Sequence, residues 1–165
     1  MVRAARTIYK GEEITDNYGY YFQVNPKEER SSMLQRQYFF ECICKACKEN
    51  WPTLSTLRGA RSVYQCVHCG SAFGNNPKQS KKCSKCKKAH AVGQLMRRTE
   101  NMEDQARKAV CSMDPANAEI AFKKYSGLLE DLVRCVKMPS WDLVLCQQIV
   151  NQTFSVKGNF YKLDD

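Results

Sequence analysis

The sequence predicts an α+β fold that is mostly α, with short strands first, cysteine-rich zinc modules next and antiparallel helices last. Three observations lead to this prediction. Ten of the 165 residues are cysteine, and most of them fall in two tight clusters. Residues 1–22 alternate apolar and polar side chains between glycines, as short strands do. From Gln94 onward, apolar residues recur at helical spacing.

Composition and charge narrow the classes of function. No apolar run is long enough for a signal peptide or for the ~18 residues of a membrane span. We therefore expect an intracellular protein of the cytoplasm or nucleus, with no membrane contact. In such a reducing compartment, clustered cysteines bind metal more often than they form disulfides.

The net charge of +9 is concentrated in residues 50–99, which contain ten basic residues and no acidic one. A segment of this kind favours contact with an acidic protein or a nucleic acid. Two other interpretations stay open. The lysines could form a solvated face, or they could offset the −2 charge of a zinc ion held by four thiolates.

Residues 26–40 are predicted to form a helix that leads into the first cysteine cluster. Pro26 suits a helix start, and Glu28 and Glu29 in the first turn complement the helix dipole. Residues 66–90, in contrast, contain few large aliphatic side chains. That segment cannot bury enough apolar surface to fold without a metal.

Three helices are predicted after Gln94. The first ends at Asp114-Pro115, and its buried face is predicted to consist of Leu95, Thr99, Met102, Ala106, Ala109 and Met113. The second runs from about Asn117 to Val136. Its predicted buried face consists of Ala121, Tyr125, Leu128, Leu132 and Val136.

The third helix is predicted from Trp141 to about Val156, with Ser140 as its N-cap and Gly158-Asn159 closing it. Helices of this length joined by short turns pack antiparallel, in a bundle or a helical-repeat array. The cysteines within the helices are predicted to be core residues, because a free thiol behaves as a small apolar group. They are Cys111, Cys135 and Cys146.

A complete structural zinc site is predicted from two C-x2-C pairs, Cys66 with Cys69 and Cys83 with Cys86. Each pair forms a tight turn that aims two sulfurs at one point, and two pairs complete the tetrahedron that zinc prefers. Gly70 follows the first pair, where a positive φ angle is expected. His68 or His90 replacing a thiolate, and iron replacing zinc, remain alternatives. A zinc ion with four thiolates has no open position, so this site is structural.

A second, incomplete zinc site is predicted at Cys42, Cys44 and Cys47, which form a C-x-C-x2-C motif. Three ligands are one short of a closed zinc shell, so the fourth must come from elsewhere. The alternative is three thiols without metal.

Two motifs carry a resemblance to a known family. Residues 10–19, KGEEITDNYG, resemble the last motif of SET-domain lysine methyltransferases. Residues 37–47, QYFFECICKAC, resemble the junction between SET and post-SET segments in the SET and MYND domain family. The basic four-cysteine insertion that follows is typical of one particular member of that family.

The resemblance implies a domain order. Residues 1–22 would be the C-terminal end of a SET domain, and residues 23–65 a post-SET helix with the C-x-C-x2-C cluster. Residues 66–90 would be a zinc-ribbon-like insertion. Residues 91–165 would begin a tetratricopeptide-like helical domain.

The resemblance also implies a reaction, the transfer of a methyl group from S-adenosylmethionine to a lysine of a protein substrate. Tyr18 matches the catalytic tyrosine whose hydroxyl lies near the transferred methyl group. Phe40 matches the ring that stacks on the adenine of the cofactor, and Tyr38 matches an aromatic residue of the lysine channel. Without the resemblance, core packing would explain all three rings.

The sequence lacks the Gly-rich cofactor loop, the Asn-His pair and the MYND zinc finger of the family. We therefore expect a fragment that is catalytically incomplete as given. The alternative is a non-catalytic module of zinc sites and helical repeats that binds protein or nucleic-acid partners. The sequence leaves the oligomeric state and the substrate lysine open.

Overall fold

The computed structural model describes residues 8–14, 17–73, 81–111 and 114–158. The described residues are mostly helical, with one sheet of two strands, so the predicted fold class is confirmed. The chain divides into two compact units, residues 1–55 and residues 56–165. No helix of the described residues combines the length and apolarity needed to cross a membrane.

The first unit is built around α1 (Lys27–Tyr38), followed by the single-turn helix α2 (Lys45–Lys48). Helix α1 begins directly after Pro26, as the sequence predicts. It ends at Phe39, which adopts the left-handed conformation (φ 59°) and donates its backbone N–H to the Gln35 carbonyl. Leu34 is buried on one face of the helix, and Arg30 lies one turn before it, also buried.

The short strands predicted for residues 1–22 are not formed by the described residues 8–14 and 17–22. These residues make turns instead, and Glu12 donates its backbone N–H to the carbonyl of Tyr9 at 3.0 Å. A strand is stable only when a neighbour satisfies its backbone groups, and no described segment pairs with this one. Residues 1–7, 15 and 16 lie outside the described part of the chain.

The second unit contains the sheet and most of the helical residues. A short helix, α3 (Leu54–Leu57), precedes it. Strand β1 (Val63–Tyr64) pairs antiparallel with β2 (Val136–Lys137). The longer helices of this unit are α4 (Val92–Thr99), α5 (Met102–Cys111), α6 (Pro115–Cys135) and α7 (Trp141–Gly158).

Helices α6 and α7 supply most of the core of the second unit. Asp114 caps α6, because its side chain accepts the backbone N–H of Ala116 at 2.9 Å. Ser140 caps α7 as predicted, accepting the backbone N–H of Leu143 at 3.4 Å. All five residues of the predicted α6 face are buried. They pack with Leu143, Cys146 and Ile149 of α7.

The single helix predicted from Gln94 to residue 113 is in fact two helices. The chain breaks at Glu100 and Asn101, and Asn101 adopts the left-handed conformation (φ 59°). Asn tolerates this conformation better than most residues, so the break costs little. Met102 still reaches the same core as Leu95. Met113 and the side chain of Ala109 lie outside the described part.

The prediction that all three helical cysteines are core residues is correct only in part. Cys146 is buried, Cys135 is half-buried and Cys111 is exposed. Cys111 follows the buried Ala106 by five positions, which turns it about 140° away from the core at 100° per residue.

Candidate metal centres and an aromatic cluster

The first C-x2-C pair lies on a tight turn closed by two backbone hydrogen bonds. The N–H of Gly70 donates to the carbonyl of Cys66, and the N–H of Cys66 donates to the carbonyl of Ser71, both at 2.8 Å. Gly70 has the positive φ that the sequence predicts, 67°. The turn therefore holds Cys66 and Cys69 at fixed positions.

The second C-x2-C pair repeats this geometry. The N–H of Lys87 donates to the carbonyl of Cys83, and the N–H of Cys83 donates to the carbonyl of Lys88, both at 2.9 Å. Lys87 occupies the position equivalent to Gly70 and has a φ of 61°. This conformation was not predicted, because a lysine rarely adopts it.

All four sulfurs of Cys66, Cys69, Cys83 and Cys86 lie within 4.8 Å of one another. Cys66 and Cys86 are 3.7 Å apart at their sulfurs, and so are Cys69 and Cys83. The edge of a regular tetrahedron is about 1.63 times the distance from its centre to a vertex. Edges of 3.7 Å thus correspond to a metal–sulfur distance of about 2.3 Å, the value for zinc thiolates.

Hydrogen bonds around the sulfurs favour the thiolate form at part of this site. The hydroxyl and backbone N–H of Ser71 lower the pKa of Cys69 to about 6. Backbone N–H donors at Cys86 and Lys85 lower the pKa of Cys83. The N–H of Lys88 acts in the same direction on Cys86. Burial and the neighbouring cysteines outweigh it and raise the pKa of Cys86 to about 11. Four thiolates this close together need a cation among them, so the arrangement fits zinc.

Neither histidine joins the four sulfurs. His68 is exposed. The ring of His90 packs on Phe73 with centroids 4.1 Å apart, and its Nδ1 accepts the backbone N–H of Val92 at 3.3 Å. The four cysteines therefore make up the whole cluster of candidate ligands in the described residues.

The second cysteine cluster lies at the start of α2. The sulfurs of Cys42, Cys44 and Cys47 lie within 4.8 Å of one another, and no fourth His, Cys, Asp or Glu of the described residues joins them. Burial raises the pKa of Cys42 to about 11. Burial also acts on Cys44, but the backbone N–H of Cys47 and the neighbouring thiols lower its pKa overall. The cluster can supply three of the four ligands that zinc requires.

Arg30 contacts this second cluster, which sequence reasoning did not anticipate. Its Nη2 donates to the sulfur of Cys47 at 3.5 Å, and its Nη1 donates to the carbonyl of Asn25 at 2.6 Å. The side chain is only 2% exposed. Its helical spacing of four from the apolar Leu34 was the one available signal that it faces inward.

Three aromatic rings gather where α1 ends. The ring centroid of Tyr18 lies 4.6 Å from that of Tyr38 and 5.7 Å from that of Phe40. The left-handed conformation of Phe39 turns the chain between the last two rings. The three rings are 56%, 43% and 36% exposed, respectively. They form an open aromatic wall, which can attract a cation through its ring faces.

Two hydrogen bonds involve the residues on either side of Tyr18. The side chain of Asn17 accepts the backbone N–H of Gly19 at 2.7 Å. The hydroxyl of Tyr20 donates to the side-chain oxygen of Gln37 on α1 at 2.8 Å. The structure therefore brings together the three residues that the family resemblance singled out.

No family model matches the chain, and no solved structure gives a significant match. Curated proteins do match. The protein-lysine N-methyltransferase SMYD4 of Mus musculus is 30% identical over 138 residues, which are 81% of this chain and 16% of the relative. SMYD4 of Homo sapiens is 29% identical over 132 residues, 79% of this chain and 16% of the relative.

A SET and MYND domain-containing protein of Dictyostelium discoideum is 42% identical over 48 residues, 29% of this chain and 4% of the relative. The chain spans about one sixth of the length of the SMYD4 relatives. SMYD4 is also the member to which the basic four-cysteine insertion pointed. The chain is thus similar to SET and MYND domain-containing proteins and fits a segment of a SMYD4-like protein.

Proposed function

We propose that the chain forms part of a protein-lysine methyltransferase that uses S-adenosylmethionine and a protein substrate. The observation that carries this proposal is the aromatic wall of Tyr18, Tyr38 and Phe40. A sulfonium or ammonium cation is attracted to the faces of such rings. The similarity to methyltransferases supports the same reaction.

Each ring has a proposed role. The hydroxyl of Tyr18 orients the lysine amine for attack on the methyl group, which is a positioning effect. Tyr38 lines the lysine channel, and Phe40 stacks on the adenine of the cofactor. S-adenosylmethionine supplies the electrophilic methyl group when it is bound.

We propose the domain order that the resemblance implies. Residues 1–22 end a SET domain, and residues 23–65 form the post-SET helix and three-cysteine cluster. Residues 66–90 form the zinc-ribbon-like insertion, and residues 91–165 begin a tetratricopeptide-like domain. Both cysteine clusters hold structural zinc in this proposal. The four-thiolate site leaves zinc no open position for catalysis.

We also propose that the isolated chain is catalytically incomplete. The first unit exposes many large apolar side chains, a pattern that marks a surface covered by further protein. The most exposed of them are Tyr9, Ile14, Val24, Phe39 and Ile43. Calorimetric titration of S-adenosylmethionine into the chain should therefore detect no micromolar binding. Micromolar binding with a stoichiometry near one would show that the chain holds a complete cofactor site.

A chimaera tests the methyltransferase proposal directly. The 138 matched residues replace their counterpart in the mouse relative, and methyl transfer to protein is measured with labelled S-adenosylmethionine. We expect an active chimaera that loses at least 100-fold of its activity on Tyr18→Phe, because the hydroxyl that positions the amine is gone. Tyr9→Phe is the matched control, since Tyr9 is exposed and outside the aromatic wall. Equal activity of the two variants would contradict the role of Tyr18.

A second function is favoured by the lysines of the zinc ribbon. Lys81, Lys85, Lys87 and Lys88 are exposed, and none forms an ion pair with another described residue. The turn from Cys83 to Lys88 carries three of these charges. We propose that this turn binds the phosphate backbone of a nucleic acid.

Fluorescence anisotropy with a labelled single-stranded oligonucleotide tests this second function. Lys85→Ala/Lys88→Ala should weaken binding and reduce the slope of log K against log salt by about 1 to 2. Lys123→Ala is the control, because Lys123 pairs with Glu119 on α6. Binding of an acidic peptide but not of the oligonucleotide would replace the nucleic acid by a protein partner.

A further inference from the structure

Arg30 is a buried cation with no carboxylate partner among the described residues. Its Nη1 donates to the Asn25 carbonyl, and its Nη2 donates to the Cys47 sulfur. The nearby acids have other partners. Glu29 accepts from the side chain of Asn25, and Glu49 accepts from the indole N–H of Trp51.

A buried guanidinium needs negative charge within contact distance, because it has lost its hydration. A backbone carbonyl offers only a dipole. The sulfur of Cys47 is the contacted group that can carry a full negative charge, and it belongs to the three-cysteine cluster.

The charge of Arg30 can be compared with that of a zinc ion held by the three cysteines. Three thiolates and one Zn²⁺ sum to −1, and one guanidinium offsets this charge when the fourth ligand is neutral. Hydrogen bonds from the surroundings to a ligand atom also fix its orientation and tune its basicity. Arg30 donates such a hydrogen bond to Cys47, the most buried of the three ligands.

We propose that Arg30 is a positioning residue of the metal site at Cys42, Cys44 and Cys47. It fixes the Cys47 sulfur and balances the charge of a three-thiolate zinc. The inference rests on the proposed function of this cluster as a zinc site.

The test compares Arg30→Met with Arg30→Lys in the full 165-residue chain. Lys and Met have similar length and volume, so they differ mainly in charge. Zinc affinity is measured by chelator competition at both sites, and the four-cysteine ribbon is the internal reference. We expect Arg30→Met to weaken the three-cysteine site by about 10- to 100-fold and Arg30→Lys to restore most of the affinity, with the ribbon unchanged.

Leu34→Ala controls for packing, because Leu34 is buried on the same helix one turn later. If Leu34→Ala weakens the site as much as Arg30→Met, or if Lys and Met behave alike, Arg30 acts through packing and the inference is overturned. Should Arg30→Met fail to fold, Arg30→Gln replaces it, since Gln keeps a donor for the Asn25 carbonyl and removes the charge.

The zinc content of Cys44→Ser, compared with that of the unsubstituted chain, distinguishes a failure of the zinc site from a failure of the role of Arg30. If Cys44→Ser leaves the zinc content unchanged, the cluster is not a zinc site and the inference fails with it. If Cys44→Ser removes one zinc equivalent and Arg30→Met leaves affinity unchanged, the zinc site stands and only the role of Arg30 is overturned.

Discussion

Replacing Cys83 and Cys86 with serine should unfold the zinc ribbon and leave the helices folded. The change removes two of the four sulfurs that lie within 4.8 Å of one another. Structural zinc contributes about 10–16 kcal/mol to the folding of small metal-dependent modules. The ribbon has little else to hold it, because its buried side chains are mainly the ligands Cys66 and Cys83.

The double substitution should lower the free energy of unfolding of the helical core much less than that of the ribbon. The ribbon reaches that core chiefly through Phe73, which packs against it half-buried. Tyr64 of β1 is buried in the same core and donates its hydroxyl to Asp142 at 3.1 Å. Losing the burial of about one aromatic side chain lowers the free energy of unfolding by about 1.5–3 kcal/mol. Helices α6 and α7 keep their own shared core, so they should stay folded.

Three measurements check this prediction. Elemental analysis after dialysis should show the loss of one zinc per chain, and far-ultraviolet circular dichroism should show nearly unchanged helix content. Limited trypsin digestion should cut first at the lysines of residues 81–88. Cys111→Ser is the control, because this thiol is exposed and outside both clusters. Unchanged zinc content, or loss of the helices together with the zinc, would refute the reasoning.

Three further predictions concern single positions. Gly70→Ala should destabilise the zinc-bound ribbon by about 1–2 kcal/mol, because alanine is strained at a φ of 67°. Lys87→Gly should stabilise the ribbon by up to about 1 kcal/mol. Chelator-induced unfolding checks both changes. Leu132→Ala should cost about 2–5 kcal/mol in urea unfolding, since this α6 side chain is fully buried. Iodoacetamide should label Cys111 rapidly and Cys146 only after unfolding, as mass spectrometry would show, because burial raises the pKa of Cys146 to about 12 and lowers its thiolate fraction.

The first two of these predictions each have a distinct contradictory outcome. Nothing lies within 4 Å of a Cβ added at Gly70, so a loss well above 2 kcal/mol would mean that strain is not the cause. Val133→Ala is the matched control for the core, because Val133 neighbours Leu132 in sequence but is exposed. Equal losses at both positions would contradict the assignment of the α6 face.

Sequence reasoning succeeded where the signal is local and chemical. Spacing alone predicted that Cys66, Cys69, Cys83 and Cys86 would meet, because a C-x2-C turn has few geometries. Helical periodicity likewise predicted the buried face of α6. The start of α1 after Pro26 followed from the fixed φ of proline.

It failed where the outcome depends on partners distant in sequence or on a single φ angle. Alternation predicted strands in residues 1–22, but a strand forms only beside another strand. The break at Asn101 interrupts a periodicity that continues on both sides, so no pattern reveals it. The contact of Arg30 with Cys47 was not predicted, because Cys47 lies 17 residues later in the chain.

The two cysteine clusters differ in where the neighbouring positive charge lies, exposed to water in one and buried in the other. The positive charges next to the four-cysteine cluster lie on exposed lysines such as Lys85 and Lys88. Charges in water are screened by salt and can be shared with a polyanion. The three-cysteine cluster instead has a buried guanidinium, Arg30, in contact with Cys47. A buried charge is screened much less by salt. Removing either partner of a buried pair leaves the other charge unpaired and without hydration, which costs much free energy. The proposed contact of the ribbon with a polyanion should therefore weaken as salt concentration rises, whereas the contact between Arg30 and Cys47 should depend on salt much less.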